Sequence, residues 1–187
     1  MCSSQRRISL AACLSVAVAV AACSQSPAER GRVLVLAGGC NDCHTTKKPG
    51  PKGMEPDMDR MLSGHPEGIK VAAPYKPAPG TPWTIGTTDT LTAWSGPWGV
   101  SFAANLTPDK NTGLRSGVWT EALFIKALKS GKHMGTARDI LPPMPWNWYS
   151  QLSEEDLKAI WAYLGTIPPI VNHVPDPLPP AETPAGN

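Results

Sequence analysis

Cysteine, phenylalanine and net charge are all in short supply in this chain. Five cysteines in 187 residues are too few to supply the disulfide framework of a small secreted scaffold. A formal net charge of only +2 gives no electrostatic footprint for nucleic acid, and that partner class is excluded. The longest uncharged apolar run, Ile8 to Ala22, is about 15 residues, short of the roughly 20 that a membrane-spanning helix needs. No internal repeat occurs, so a solenoid or propeller array is not expected. Two phenylalanines stand against seven tryptophans, so aromatic packing falls to indole rings. The length fits one globular domain with one real core.

What is present begins with a leader. Arg6 and Arg7 precede the apolar run, which ends in small residues, and residues 1–22 read as a signal peptide that sends the chain out of the cytoplasm. Val20-Ala21-Ala22-Cys23 resembles the lipobox of bacterial lipoproteins, in which the cysteine is acylated after cleavage. Leu10-Ala11-Ala12-Cys13 has the same pattern with almost no apolar stretch before it, so Cys23 is the candidate lipid attachment site, against ordinary cleavage at Ala19-Val20-Ala21. Removing Arg6 and Arg7 with the leader leaves acidic and basic residues in balance. Cys2 and Cys13 depart with it as well, so only Cys40 and Cys43 remain free for chemistry.

Three helices are legible along the mature chain. Ser26-Pro27-Ala28-Glu29 has a serine N-cap, a proline at the first helical position and a glutamate placed to return to the cap, with Gly38 and Gly39 loosening the end. Thr120 caps a second, with Leu123, Phe124, Ala127 and Leu128 on one face and Gly131 at the C-terminal position. Ser153 starts a third, with Glu154, Glu155 and Asp156 in the first turn and Leu157, Ile160, Trp161 and Leu164 as its buried stripe. Between about 50 and 104 the chain reads as an irregular insertion, with a helical turn or two near Pro56 to Leu62 and a hairpin within Thr84 to Phe102. After Pro168 a proline-rich tail is expected to be extended, without helix.

Cys40-Asn41-Asp42-Cys43-His44 is a C-x-x-C-H sequence, the attachment pattern of c-type haem. Two thiols three positions apart can each add to one vinyl group of the macrocycle, and the adjacent histidine then offers a nitrogen to iron. Three alternatives compete. A thioredoxin-like pair wants a strand before the cysteines, where a helix is expected here. A zinc site would have to recruit from His65, His133 and His173. A plain disulfide leaves His44 unexplained.

A haem held by His44 commonly takes a sixth ligand, and methionine raises the reduction potential relative to a second histidine. Met54, Met58, Met61, Met134 and Met144 are available. The first three are spaced i, i+4, i+7, which more often means packing along one helix face. Met134 lies beside Gly135, where it would be poorly held. Met144 stands in Leu141-Pro142-Pro143-Met144-Pro145-Trp146, where prolines restrict the backbone that presents the sulfur, and it is the candidate.

Helix, C-x-x-C-H, helix, proline-flanked methionine and final helix together resemble the layout of class I cytochromes c. Asn105-Leu106-Thr107-Pro108-Asp109, Thr112-Gly113, Trp119-Thr120-Glu121, Pro143-Met144-Pro145 and Asp156-Leu157 to Tyr163-Leu164 look like the cytochrome subunits of membrane-bound bacterial alcohol and aldehyde dehydrogenases. Those subunits usually carry three haem modules, and this chain has a single C-x-x-C-H. The resemblance implies a mostly α, class I cytochrome c fold over 23–167, interrupted by the insertion at about 50–104, and a tail from 168 to 187. It implies one covalent haem c on Cys40 and Cys43, with His44 and Met144 as iron ligands. The expected work is electron transfer in the periplasm, without catalytic residues, for a dehydrogenase, oxidase or quinol-oxidising partner. The rival readings are a peroxidase-like haem enzyme and a gas sensor, each needing a labile sixth ligand. Trp98, Trp146 and Trp148 could line the haem, or merely fill a core short of phenylalanine. Lys47, Lys48, Lys126, Lys129 and Lys132 could edge a docking face, or form ordinary solvated surface.

If Cys23 is acylated, only Ser24 and Gln25 separate the lipid from the Ser26 cap, a tether of roughly 10 Å when extended. The Cys23→Ser variant should then release the haem protein into the soluble periplasmic fraction. A wild-type protein found there with an unmodified N-terminus would contradict the anchor.

Overall fold

The computed structural model describes residues 25–180; the leader with Cys23 and the end of the tail, 181–187, lie outside them. The elements run α1 (Pro27–Ala37), α2 (Cys40–His44), β1 (Lys47–Gly50), β2 (Gly53–Pro56), β3 (Gly86–Thr87), β4 (Ala93–Gly96), β5 (Gly99–Phe102), α3 (Glu121–Ser130), α4 (Trp146–Tyr149) and α5 (Glu154–Leu164). None of these helices is long and apolar enough to cross a membrane.

The three long helices start where their capping residues stand. Ser26 Oγ accepts from the Glu29 amide at 3.2 Å, and the Glu29 carboxylate accepts from the Ser26 amide at 2.9 Å, a reciprocal box that satisfies two orphan donors. Thr120 and Ser153 accept from Leu123 and Asp156 amides at 3.2 and 3.0 Å. Gly131 ends α3 with φ +68°, a left-handed conformation that glycine adopts without strain.

α1 packs against α5 through glycine. A Cβ on Gly31 would come within 1.9 Å of the Ala159 carbonyl oxygen, so the two backbones meet only because no side chain intervenes. Arg30 and Asp156 join the same helices by two parallel hydrogen bonds of 2.8 and 3.2 Å at the solvent edge. Beneath them lies one apolar core built from Val35, Leu62, Leu114, Phe124, Leu128, Leu157, Ile160, Trp161, Leu164 and Ile167. Phe124 and Trp161 meet with ring centroids 5.4 Å apart, and the Arg115 guanidinium lies 4.1 Å over the Trp161 ring.

The expectation of a mostly α, class I cytochrome c fold is corrected. Helix accounts for 30% and strand for 13% of the described residues, and that description does not fit the chain. β1 leads into the segment read as an irregular insertion, and the other strands lie within it. β1 and β2 form an antiparallel hairpin with Lys47 opposite Pro56, and β3, β4 and β5 form an antiparallel sheet in which Trp94 stands opposite Ser101. Each strand is two to four residues long, too short for an alternating pattern to stand out among its glycines, threonines and prolines. The hairpin expected within Thr84 to Phe102 is present as β4 and β5. Met54, Met58 and Met61 share no helix: Met54 is in β2, Met58 opens a single 3-10 turn (Met58–Arg60), and Met61 follows it.

The tail is extended as its prolines suggest, and it is pinned to the body. Val100 and Leu178 exchange backbone hydrogen bonds of 2.9 and 3.0 Å at the edge of β5. Gly31→Ala should open the α1–α5 contact and lower stability by about 1–3 kcal/mol, whereas Arg30→Ala at the exposed rim should barely change it. Denaturant unfolding of the two variants side by side checks the contrast.

Candidate cofactor site

α2 is a single helical turn that begins from Gly39 at φ +69°. Helical geometry places Cys40 and Cys43 on one face and brings His44 beside them. No disulfide joins the two thiols, and both are half-buried. Burial pushes both thiols above their ordinary range. Cys40 packs against the edge of the apolar core together with Met144, Tyr149 and Leu152. Tyr149 closes the side of the turn: its hydroxyl donates to the Gly38 carbonyl, and burial beside Cys40 pushes its ionisation upward.

His44 is buried, and its Nδ1 donates to the Ala104 carbonyl at 2.8 Å. Desolvation holds the imidazole below its ordinary pKa, against a smaller opposing effect of that hydrogen bond, so the ring is neutral near pH 7. With the proton on Nδ1, the lone pair is on Nε2, and Nε2 has no hydrogen-bond partner among the described residues. A buried neutral imidazole, oriented through one nitrogen by a carbonyl and free at the other, is the arrangement a metal-binding histidine needs. The residues present therefore fit a covalently attached haem.

Ala104 is held on both sides. The Ala103 amide donates to Thr92 O at 2.8 Å, the His65 amide donates to Ala103 O at 2.9 Å, and the Gly64 amide donates to His44 O at 2.8 Å. Asn105 follows, with Nδ2 donating to Ile170 O at 2.9 Å and its Oδ1 accepting from the Thr107 hydroxyl at 2.7 Å. Asp109 Oδ1 accepts from the Thr112 amide and hydroxyl at 2.7 and 2.8 Å, and these bonds hold its carboxyl below the usual range. The motif from Asn105 to Thr112 thus serves as scaffold for the histidine's acceptor. Asn172, from the tail, completes it: buried, it accepts from Arg60 and the Glu67 amide and donates to Ser63 O and His65 O at 2.7 and 2.8 Å. Neither Ala104 nor Asn172 was marked by the sequence, since one acts through its carbonyl and the other lies in a segment that reads only as extended.

The methionines separate by exposure. Met54 and Met58 are 45% and 59% exposed, while Met61, Met134 and Met144 are half-buried. Met134 has φ +54°, a left-handed conformation that strains a non-glycine residue. Met61 packs against the apolar core and precedes Leu62, whose amide donates to Thr45 Oγ1 at 2.9 Å. Met144 packs at the core margin in a loop bracketed by Gly131: Ile140 N donates to Gly131 O at 2.8 Å, and the Trp146 ring lies where a Gly131 Cβ would be.

Other candidates have local explanations. Trp146 packs on Gly131, Trp98 donates to Ser101 Oγ at 3.3 Å, and Trp148 is 72% exposed. Lys47 donates to Asn41 O, Lys48 pairs with Asp57, Lys129 donates to Ser150 O and Leu152 O, and Lys132 pairs with Asp139. Lys126 lies along Gly135. These bonds favour ordinary surface over a dedicated docking face. His65 is buried between Thr92 Oγ1 and Ile69 O at 2.9 Å each, and no group of three His, Cys, Asp or Glu placed to hold a metal ion occurs among the described residues. The zinc alternative gains nothing from this placement.

No family model matches the chain. It is 28% identical over 137 residues to the fructose dehydrogenase cytochrome subunit of Gluconobacter japonicus, a match covering 73% of this chain and 20% of that one. It is 30% identical over 137 residues to the gluconate 2-dehydrogenase cytochrome c subunit of Pantoea cypripedii, covering 72% and 22%. Over 67 residues it is 34% identical to the cytochrome c subunit of alcohol dehydrogenase (quinone) from Gluconobacter oxydans, covering 36% and 13%. The chain is similar to cytochrome c subunits of dehydrogenases. It spans about a fifth of the length of the fructose and gluconate dehydrogenase subunits. The similarity supports a cytochrome c of that kind, and with it haem and electron transfer.

Because four polar groups lose their partner together, Asn172→Ala should lower the stability of the haem-loaded protein by about 2–4 kcal/mol. Denaturant unfolding checks this, and Val171→Ala, at a 69% exposed neighbour, is the control.

Proposed function

We propose that the chain is a monohaem c-type cytochrome that carries electrons in the bacterial cell envelope. The haem c would be attached through Cys40 and Cys43, with His44 and Met144 as the iron ligands. The observation that carries this reading is His44: it closes a C-x-x-C-H turn, is buried and neutral, and is held through Nδ1 by the Ala104 carbonyl with Nε2 free. Similarity to cytochrome subunits supports the class of cofactor, and the exposure of Met54 and Met58, the left-handed backbone of Met134 and the proline setting of Met144 support Met144 as the sixth ligand.

When bound, the haem supplies an iron that gains and loses one electron. The protein's residues hold the group and exclude water. Cys40 and Cys43 would each hold it by one thioether bond. His44 would keep its proton on Nδ1, donated to the Ala104 carbonyl, and in this reading it takes no part in proton transfer. Met144 as the second protein ligand would raise the potential relative to a pair of histidines. The apolar core that Cys40 and Met144 border keeps the surroundings dry.

The acylation of Cys23, periplasmic placement and membrane attachment belong to this proposal as well. The short tether would confine the domain to the bilayer surface and to membrane-associated partners: a dehydrogenase, an oxidase or a quinol-oxidising complex. Relatives that are subunits of dehydrogenases favour the first.

Met144→Ala should leave the haem attached, lower the reduction potential and open the ferrous protein to carbon monoxide, which the wild-type protein should refuse. Ready carbon monoxide binding by the wild type would favour the enzyme or sensor reading. An unchanged ligand spectrum in the variant would remove Met144 from the assignment.

A further inference from the structure

One hydrogen bond joins the small sheet to the methionine loop. Ser101 in β5, 8% exposed, donates its hydroxyl to the Pro142 carbonyl at 2.5 Å and accepts the Trp98 indole N–H at 3.3 Å. Just beyond it on the chain, Ala104 presents its carbonyl to His44. The stretch from Ser101 to Ala104 therefore reaches the supports of both proposed iron ligands. It has little freedom of its own: Ser101 stands in register opposite Trp94, and Ala103 is bonded through its amide to Thr92 and through its carbonyl to His65.

The loop has few other ties. Pro142, Pro143 and Pro145 have no N–H to donate, and the Met144 amide turns inward to Leu141 O at 3.3 Å. Among the described residues, nothing outside Leu141–Tyr149 other than Ser101 hydrogen-bonds to the segment from Leu141 to Pro145. A thioether sulfur is a soft, weak ligand with no charge to hold it. Whether it stays on iron depends on how far the backbone carrying it can swing.

We propose that Ser101 is a positioning residue for Met144, and that the sheet β3–β4–β5 is a clamp that holds the supports of His44 and Met144 at a fixed separation. This rests on the reading of His44 and Met144 as ligands. It gives the segment between 50 and 104 a purpose. Ser101 does not touch the iron; it acts through Pro142 on the loop, while Ala104 acts on the imidazole from the same strand end.

The test uses the covalently loaded, full-length protein and three readouts: affinity of the ferric form for added imidazole, the sulfur-to-iron absorption band, and the reduction potential. Ser101→Ala should bind imidazole about tenfold more tightly, the effect of losing one hydrogen bond that holds the competing ligand in place. Its sulfur-to-iron band should weaken and its potential fall. Ser101→Thr keeps a hydroxyl and should restore wild-type values. Trp98→Phe removes the indole donor to the same hydroxyl, which also lies 3.4 Å from the Trp94 carbonyl, and should behave as wild type. Imidazole affinity and potential unchanged in Ser101→Ala, while Met144→Ala binds imidazole freely, would overturn the clamp and leave the ligand assignment standing. Met144→Ala with wild-type imidazole affinity would remove the ligand and the clamp together. A Ser101→Ala protein that fails to retain haem would also overturn the proposal, because the residue would then serve folding and not the ligand.

Discussion

The hydrogen bond from His44 Nδ1 to the Ala104 carbonyl is the constraint on which the site depends. It fixes which nitrogen bears the proton, and so leaves Nε2 as the donor atom in a ring that burial has already made neutral. It also spans 60 positions of sequence, so the histidine is not oriented until the segment between them has folded. A helical turn with C-x-x-C-H could form locally. Its imidazole would have no fixed direction without Ala104, two residues beyond the end of β5.

Two kinds of cohesion divide the molecule around that bond. On one side, α1, α3 and α5 share an apolar core, with Gly31 letting two backbones meet and Phe124 and Trp161 filling the space beneath. On the other, cohesion is polar and specific: His65 and Thr92, Asn105 and Thr107, Asp109 and Thr112, and Asn172 among four partners. Apolar packing tolerates small shifts, whereas a buried hydrogen-bond network has only one arrangement in which every group is satisfied. The polar half is therefore the part suited to holding a ligand in a fixed direction.

What could be read in the sequence follows from this division. Ser26, Thr120, Gly131 and Ser153 mark helix ends by rules that operate within four residues, and the helices lie where those residues put them. The C-x-x-C-H turn was legible for the same reason. The β4–β5 hairpin was legible from its turn residues, but β1, β2 and β3 were not, because strands of two to four residues are too short to show alternation. Nor was the acceptor of His44, since a backbone carbonyl carries no side-chain identity and alanine at 104 says nothing. Asn172 was hidden among prolines whose composition signals extension but not docking. The helical spacing of Met54, Met58 and Met61 misled, because a hairpin strand and a 3-10 turn happened to carry it.

The central claim is that one haem is bound covalently to the turn that ends in His44. Its most direct test is extraction of the mature protein with acidified organic solvent, followed by mass measurement of the polypeptide. The account predicts that the colour stays with the chain and that its mass exceeds that of the mature polypeptide by one haem. A colourless polypeptide of unmodified mass, with the haem in the organic phase, would contradict it.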